Sequence, residues 1–379
     1  ASLLLWFVGA VRVPTSVDSF AVSRHGLSIP VAWDGAIGPR VEGPGVAGRE
    51  LRDVRLTPRW MIGGNPEDTT ILLPLQLRAS REHFLVYDAV AQRLLALSPK
   101  SGRIDWRFGR PGRGPGEFGG VAKVTARRDG GAFVVDFALS RLTEVTEDGK
   151  EGPRVDYRLG VNPRGVCEAG NTHIHLRSTE SGEIERVHVP TGQRGSEDLP
   201  WPELRALPSL VRQSMIFEHP QAGVCMISVT FGPMFALLDE TGVRARARWI
   251  DEIPMGQAKA LGKGSWEMLP STQGAMGATA VGNSFAVLFR GRGPKRGRFV
   301  DFYSVIDAGY LFSIELPFPA IDIAFGHGLL ALAGETEEGA PFVRAFSVMP
   351  KPSAVMKSRG TLCSTLATRF RGASPVFHE

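Results

Sequence analysis

Short apolar runs, each five to seven residues long and closed by a Gly, Asp or Asn turn, recur along most of this chain. Phe84-Leu85-Val86-Tyr87-Asp88 is followed by Arg93-Leu94-Leu95-Ala96-Leu97, and Phe133-Val134-Val135-Asp136 by Arg141-Leu142-Thr143-Glu144-Val145. Runs this short between turn residues predict β-strands rather than helices. Asp88 and Asp136 stand 48 residues apart, as do Arg93 and Arg141, and Trp60 precedes Trp106 by 46. A period in the forties built of short strands and Gly turns predicts propeller blades. From Leu51 to Met349 there is room for about six of them at this period.

Further strand groups continue the pattern. They are His173–Leu176 with Ile184–Val189; Val224–Val229, Met234–Leu238 and Ala245–Ile250; Ser284–Phe289, Phe299–Val305 and Tyr310–Leu316; Ile321–Phe325, Leu329–Ala333 and Phe342–Val348. The strand at Arg59-Trp60-Met61-Ile62 precedes the first complete blade and is expected to close the ring by completing the last one, which leaves no open sheet edge. A short helix is expected at Arg205–Gln213, and a long loop from Asp251 to Gln273. The sequence thus divides into an apolar segment 1–11, an extended arm 12–50, an all-β six-bladed propeller 51–349 and a C-terminal tail 350–379.

The segment from Trp106 to Lys150 resembles the NHL-repeat type of six-bladed β-propeller. It has the aromatic-Gly strand end (Phe108-Gly109), the loop Gly114-Pro115-Gly116-Glu117-Phe118, the Val135-Asp136 strand end, Arg141 and the Asp148-Gly149 turn. About two blades carry this pattern. Six-bladed relatives by fold include metal-dependent lactonases and lyases, and some NHL propellers bind single-stranded RNA. The resemblance transfers no catalytic residue, because no matching cluster of Glu, Asn and Asp is present.

Charge adds little. The formal net charge is +5, but the basic residues, mostly Arg, are scattered. The densest group, Arg290 to Arg298, reads either as a contact for phosphate or an acidic protein or as a solvated hairpin tip, and the hairpin tip is preferred. Three cysteines, Cys167, Cys225 and Cys363, leave open one disulfide plus a free thiol, or none. The run Ala1 to Val11 is continuously apolar yet shorter than the roughly 20 residues of a spanning helix. It reads as the remnant of a secretory signal or as an anchor, with Leu3, Leu4, Leu5, Trp6, Phe7 and Val8 touching lipid or a partner. Either reading puts the propeller on the extracytoplasmic, periplasmic side and argues against nucleic acid as a partner.

Candidate chemistry is sparse. His173 and His175 share a strand face, and pairing across the following turn would bring His188 opposite His173 as a third imidazole, a set suited to zinc or copper. A polar strand face without metal is the reading preferred here. Asp88 and Asp136 repeat with the blades, which favours turn capping over catalysis. Trp201 and Trp266 fall on loops, where aromatics serve interfaces or pack beneath the loop. No phosphate loop, nucleophile elbow or zinc-protease helix occurs. The expectation is a non-catalytic, cofactor-free scaffold subunit bound to an integral-membrane protein or complex. The alternative is a secreted, metal-dependent lactonase- or lyase-like enzyme working at the central channel.

Overall fold

The computed structural model describes residues 40–41, 48–152, 163–177, 183–251, 253–262, 265–290 and 296–350. Six sheets stand around a central axis. In order from the axis outward, blade 1 comprises Pro74–Ala79, Phe84–Asp88, Arg93–Leu97 and Ile104–Phe108. Blade 2 shows Val121–Ala126, Ala132–Asp136 and Arg141–Val145 among the described residues. Blade 3 has Pro163–Ala169, Thr172–Arg177, Glu183–His188 and Gln193–Asp198. Blade 4 has Ser214–His219, Val224–Val229, Met234–Asp239 and Gly242–Arg248. Blade 5 has Ala275–Val281, Ser284–Phe289, Phe299–Ser304 and Tyr310–Glu315.

Blade 6 has Asp322–Gly326, Leu329–Glu335 and Pro341–Pro350, and its outermost strand is Val54–Gly63 from the other end of the chain. That strand pairs antiparallel with Pro341–Pro350, from Phe342↔Gly63 to Pro350↔Val54. The expected ring closure is therefore present. Just before it, Leu51–Arg52 adds a parallel strand outside Tyr310–Glu315 of blade 5, through Leu51↔Ser313.

The core is six separate clusters, one between each pair of neighbouring blades. This explains why the second strands read as unbroken apolar runs. Phe84 and Val86 point toward blade 6, Leu85 and Tyr87 toward blade 2. Alternation still holds, but both faces are covered.

The repeated polar and aromatic residues have repeated duties. The Asp88 carboxylate accepts from the backbone N–H groups of Leu72, Leu73 and Ala91, at 3.1, 3.2 and 3.3 Å. Asp136 does the same for Gly119, Gly120 and Leu139 at 2.7, 3.1 and 3.0 Å. Each Asp thus satisfies loop donors that no strand reaches, which is the capping role expected of it. Trp60 Nε1 donates to the Pro99 carbonyl at 2.7 Å and Trp106 Nε1 to that of Glu147 at 2.9 Å. Each indole lies against the turn glycine of the next blade, Gly102 and Gly149, where any Cβ would overlap the ring.

Two local expectations need correction, and one alternative left open is settled. The helix expected at Arg205–Gln213 is instead a single 3-10 turn, Pro202–Ala206. Pro202 starts it, and Pro208, which disfavours helix in the residue before it, prevents continuation. The loop from Asp251 to Gln273 contains a hairpin, Ala258–Gly262 with Ser265–Met268. Cys167 and Cys225 form a disulfide that joins blades 3 and 4 inside the core. Cys363 and residues 1–39 lie outside the described residues, and with them Leu3 to Val8.

Candidate functional site

The innermost strands are edge strands facing the axis, so their inward N–H and C=O groups need partners other than a sheet neighbour. Side chains from other blades supply them. Gln76 bridges blades 1 and 2, its Nε2 donating to the Ala122 carbonyl at 3.2 Å while Oε1 accepts from Val124 N–H at 2.6 Å. Thr125 Oγ1 donates to the Val166 carbonyl at 2.8 Å. Asp322 Oδ2 accepts from Leu77 N–H at 2.9 Å, and Glu218 Oε1 from Ala126 N–H at 3.0 Å.

These two carboxylates converge on one guanidinium. Arg78 reaches Asp322 Oδ2 at 2.9 Å and Glu218 Oε1 at 3.3 Å, and it also donates to the carbonyls of Val124 and Leu77. Arg78, Glu218 and Asp322 are all buried. Blades 1, 2, 4 and 6 are thereby tied together at the axis. Two glycines on inner strands provide the space. A Cβ at Gly277 would overlap the Asp322 carboxylate, and one at Gly165 would overlap Ile216 and touch the Lys123 side chain.

Lys123 is the fourth charged member, with its Nζ 4.0 Å from the centre of the Phe217 ring. Burial, with the Arg78 charge second, pushes its ammonium pKa down to about 7 against the pull of Glu218 and Asp322. An amine that is substantially neutral at physiological pH, set in a cavity wall, can accept a proton or act as a nucleophile.

The cavity is the central funnel, about 420 Å³, opening on the face that carries the inter-blade loops. Gln76, Arg78 and Lys123 line it, with Arg164, Arg212 and Arg290. Arg290 donates to Gln273 Oε1. Burial and the neighbouring charge of Arg296 lower the Arg290 pKa. The basic group read as a solvated hairpin tip thus begins in the funnel wall. Of these residues only Arg290 was singled out in the sequence, as the start of the densest basic group.

The residues that were singled out do not meet. In the register of blade 3, His173 faces Val187 and His188 faces Thr172, one residue away from the expected pairing, so His173 and His188 lie on opposite faces of the sheet. His173 Nε2 lies 3.6 Å from Glu168 Oε1 and its ring packs edge-on against Phe133. The His188 Nδ1 bonds the Thr191 hydroxyl at 2.8 Å. His175 pairs in register with Glu185. Among the described residues no three His, Cys, Asp or Glu side chains are grouped to hold a metal ion. Trp201 is 5 % exposed inside the core between blades 3 and 4, which removes it from any interface. Trp266 is 43 % exposed on the hairpin, which rises beside the funnel mouth, where Gly256 N–H donates to the carbonyl of the funnel residue Phe231.

One buried histidine sits at the far end of an inner strand. His219 Nδ1 accepts from Ala222 N–H at 3.2 Å, its ring meets Phe285 edge-on, and burial pushes its pKa down to about 4. The folded state thus holds a neutral imidazole that the unfolded chain protonates below about 6.5. Stability is expected to fall as pH drops from about 6.5 to about 4, by about 3 kcal/mol from this group alone. His219→Asn keeps an acceptor and cannot titrate, so urea unfolding over that window should show a correspondingly shallower loss. An unchanged slope would sink this assignment.

No protein-family model and no curated protein matches the chain. Solved structures that resemble it include a streptogramin B lyase (13 % identity, covering 76 % of this chain and 97 % of that one, TM-score 0.42), a virginiamycin B lyase from Staphylococcus aureus (11 %, 72 % and 80 %, 0.41) and a DUF4221-family protein from Bacteroides vulgatus (9 %, 81 % and 100 %, 0.49). The likeness is one of fold, and no residue role passes from these proteins to this chain.

Proposed function

We propose that the protein is a non-catalytic, extracytoplasmic propeller of the NHL kind, serving as an interaction subunit of a membrane protein complex and docking its partner on the funnel face. The observation that carries this reading is the composition of that face. Leu72, Leu75, Val90, Phe137, Leu261 and Trp266 are all exposed there. Arg290 lines the mouth, and Arg296 and Arg298 follow in the same loop before the strand Phe299–Ser304. Exposed aromatic and aliphatic side chains interleaved with Arg are the composition of a protein interface. The Cys167–Cys225 disulfide supports an oxidising compartment. Residues Leu3 to Val8 would supply the tether to the membrane or to an integral-membrane partner.

The test is co-purification from native membranes. Leu261→Ser with Trp266→Ser should reduce the partner at least tenfold while leaving the thermal melt in place, and Ile306→Ser on the opposite face should not. Retention of the partner by the hairpin variant would sink the docking surface. Loss of membrane association on deletion of residues 1–11 checks the tether separately.

One observation favours the second reading, an enzyme acting at the central channel: Lys123, buried and lowered in pKa, lines the funnel. Hydrolase or lyase turnover abolished by Lys123→Met would decide for it.

A further inference from the structure

The funnel wall holds more positive charge than its own carboxylates answer. Asp322 and Glu218 both engage Arg78. Arg290 is bonded to a neutral amide and has a like charge, Arg296, as its neighbour. Lys123 has the face of Phe217 against its ammonium. Arg164 is exposed at the mouth and, among the described residues, has no carboxylate in ion-pair reach. Two carboxylates stand against the single charge of Arg78, so the second offsets Lys123 when that amine is protonated, and Arg164 and Arg290 are left as two positive charges facing one cavity, with Arg212 in the same wall. A sphere of 420 Å³ is about 9 Å across, less than the roughly 10 Å Debye length at 0.1 M salt. Every cation in the wall acts on an occupant with little screening, and low-dielectric walls focus that field. Partly buried cations without counterions are costly, and an anion of matching charge relieves them.

We propose that the central funnel is a binding site for a small organic anion carrying at least two carboxylate or phosphate groups, held by Arg164 and Arg290 at the mouth and by Lys123 deeper in the wall. Charge sets the valence: the two arginines match a dianion. A monocarboxylate leaves cations unanswered. The volume lies within the range of ordinary small-molecule sites. Binding is coupled to a proton. Empty, Lys123 is largely deprotonated above pH 7; an anion beside it raises its pKa and returns the proton. The groups facing it are Arg78 from blade 1, Glu218 from blade 4, Asp322 from blade 6 and the three arginines of the mouth. Arginines keep their charge throughout, so the coupling belongs to Lys123 provided that it disappears with that side chain. This site shares Arg290 with the docking face but takes no residue from the Leu261 and Trp266 hairpin, so the hairpin variants leave it intact.

Isothermal titration of the full chain at low salt tests it, with citrate and pyrophosphate as probes and acetate as the monovalent control. Citrate or pyrophosphate should bind saturably, at least tenfold more tightly at pH 6 than at pH 9. Arg290→Gln and the exposed Arg164→Gln should each weaken binding tenfold or more at pH 6, and Lys123→Met should flatten the pH dependence. The stronger of the two probes tells carboxylate from phosphate recognition. Equal affinity in all variants, acetate competing as well as citrate, or a pH dependence retained in Lys123→Met would overturn the proposal. So would a hexaglutamate peptide that displaces citrate with the higher affinity, which would give the funnel to a protein segment.

Discussion

Arg78→Met should cost about 3–5 kcal/mol of unfolding free energy, the range measured when one partner of a buried ion pair is removed. Met keeps much of the side-chain volume, so the loss is electrostatic rather than a cavity effect. Asp322 would retain its N–H donors from Leu77 and Ile323, and Glu218 that from Ala126, but neither would face a guanidinium. Lys123 can answer only part of two charges. Burial already raises the Glu218 pKa, and without Arg78 that carboxyl would hold its proton more tightly still. A carboxylate raised in the folded state contributes stability at low pH that is lost as pH rises through its folded pKa. The variant should therefore be closest to the wild type near pH 5 and furthest from it near pH 8. Urea denaturation at the two values measures this. A loss below about 1 kcal/mol, or one equal at both pH values, would mean that the axial ion cluster does not hold the ring together.

What could be read from the sequence was whatever repeats locally. Trp60 and Trp106, Asp88 and Asp136, Gly102 and Gly149 do the same work in neighbouring blades, so their spacing shows in the chain. The apolar runs were legible for a related reason. A blade packed on both faces needs five consecutive buried residues in its second strand, and both Phe84–Asp88 and Ala132–Asp136 supply them. The funnel has no such signature. Arg78, Lys123, Glu218 and Asp322 each come from a different blade, and Arg78 meets Asp322 across 244 residues. Arg78 and Glu218 hold the same place in their inner strands but carry opposite charges, and Lys123 and Asp322 stand elsewhere in theirs, so no repeated residue type marks them. The histidine pairing failed for a different reason. A single residue in a turn decides which face of a strand a side chain takes, and nothing in the run from His173 to His188 fixes that count. Trp201 shows the same limit from the side of burial. A loop aromatic reads alike whether it faces solvent or, as here, plugs the space between two blades.

Arg49→Ala is expected to match the Arg78 variant in cost, about 3–5 kcal/mol, although Arg49 lies in a Gly-Pro-rich stretch that reads as a loose arm. Its guanidinium grips Asp301 with Nε at 2.8 Å and Nη2 at 2.7 Å, and Nη1 reaches Asp251 at 2.5 Å. The rings of Phe289 and Phe299 lie 4.8 and 5.0 Å from it. Asp301 is fully buried, and without Arg49 only the Ser313 hydroxyl among these partners would remain to it, at 2.6 Å. Around this anchor, Glu50 N–H donates to the Tyr310 hydroxyl and the Glu50 carbonyl accepts from Ser313 N–H. The segment is thus a latch on blade 5, set immediately before the strand that closes blade 6, and the two attachments share one short stretch of chain. Releasing the latch should loosen the closing strand as well, because Val54–Gly63 would then be held by its pairing and packing on blade 6 alone. Limited proteolysis should cut the Arg49→Ala protein between Gly48 and Val54 well before the wild type. A chain shortened to begin at Gly48 should keep wild-type stability, since the anchor survives, whereas one beginning at Val54 should behave like Arg49→Ala. Equal stability for these two truncations would show that the closing strand needs no latch.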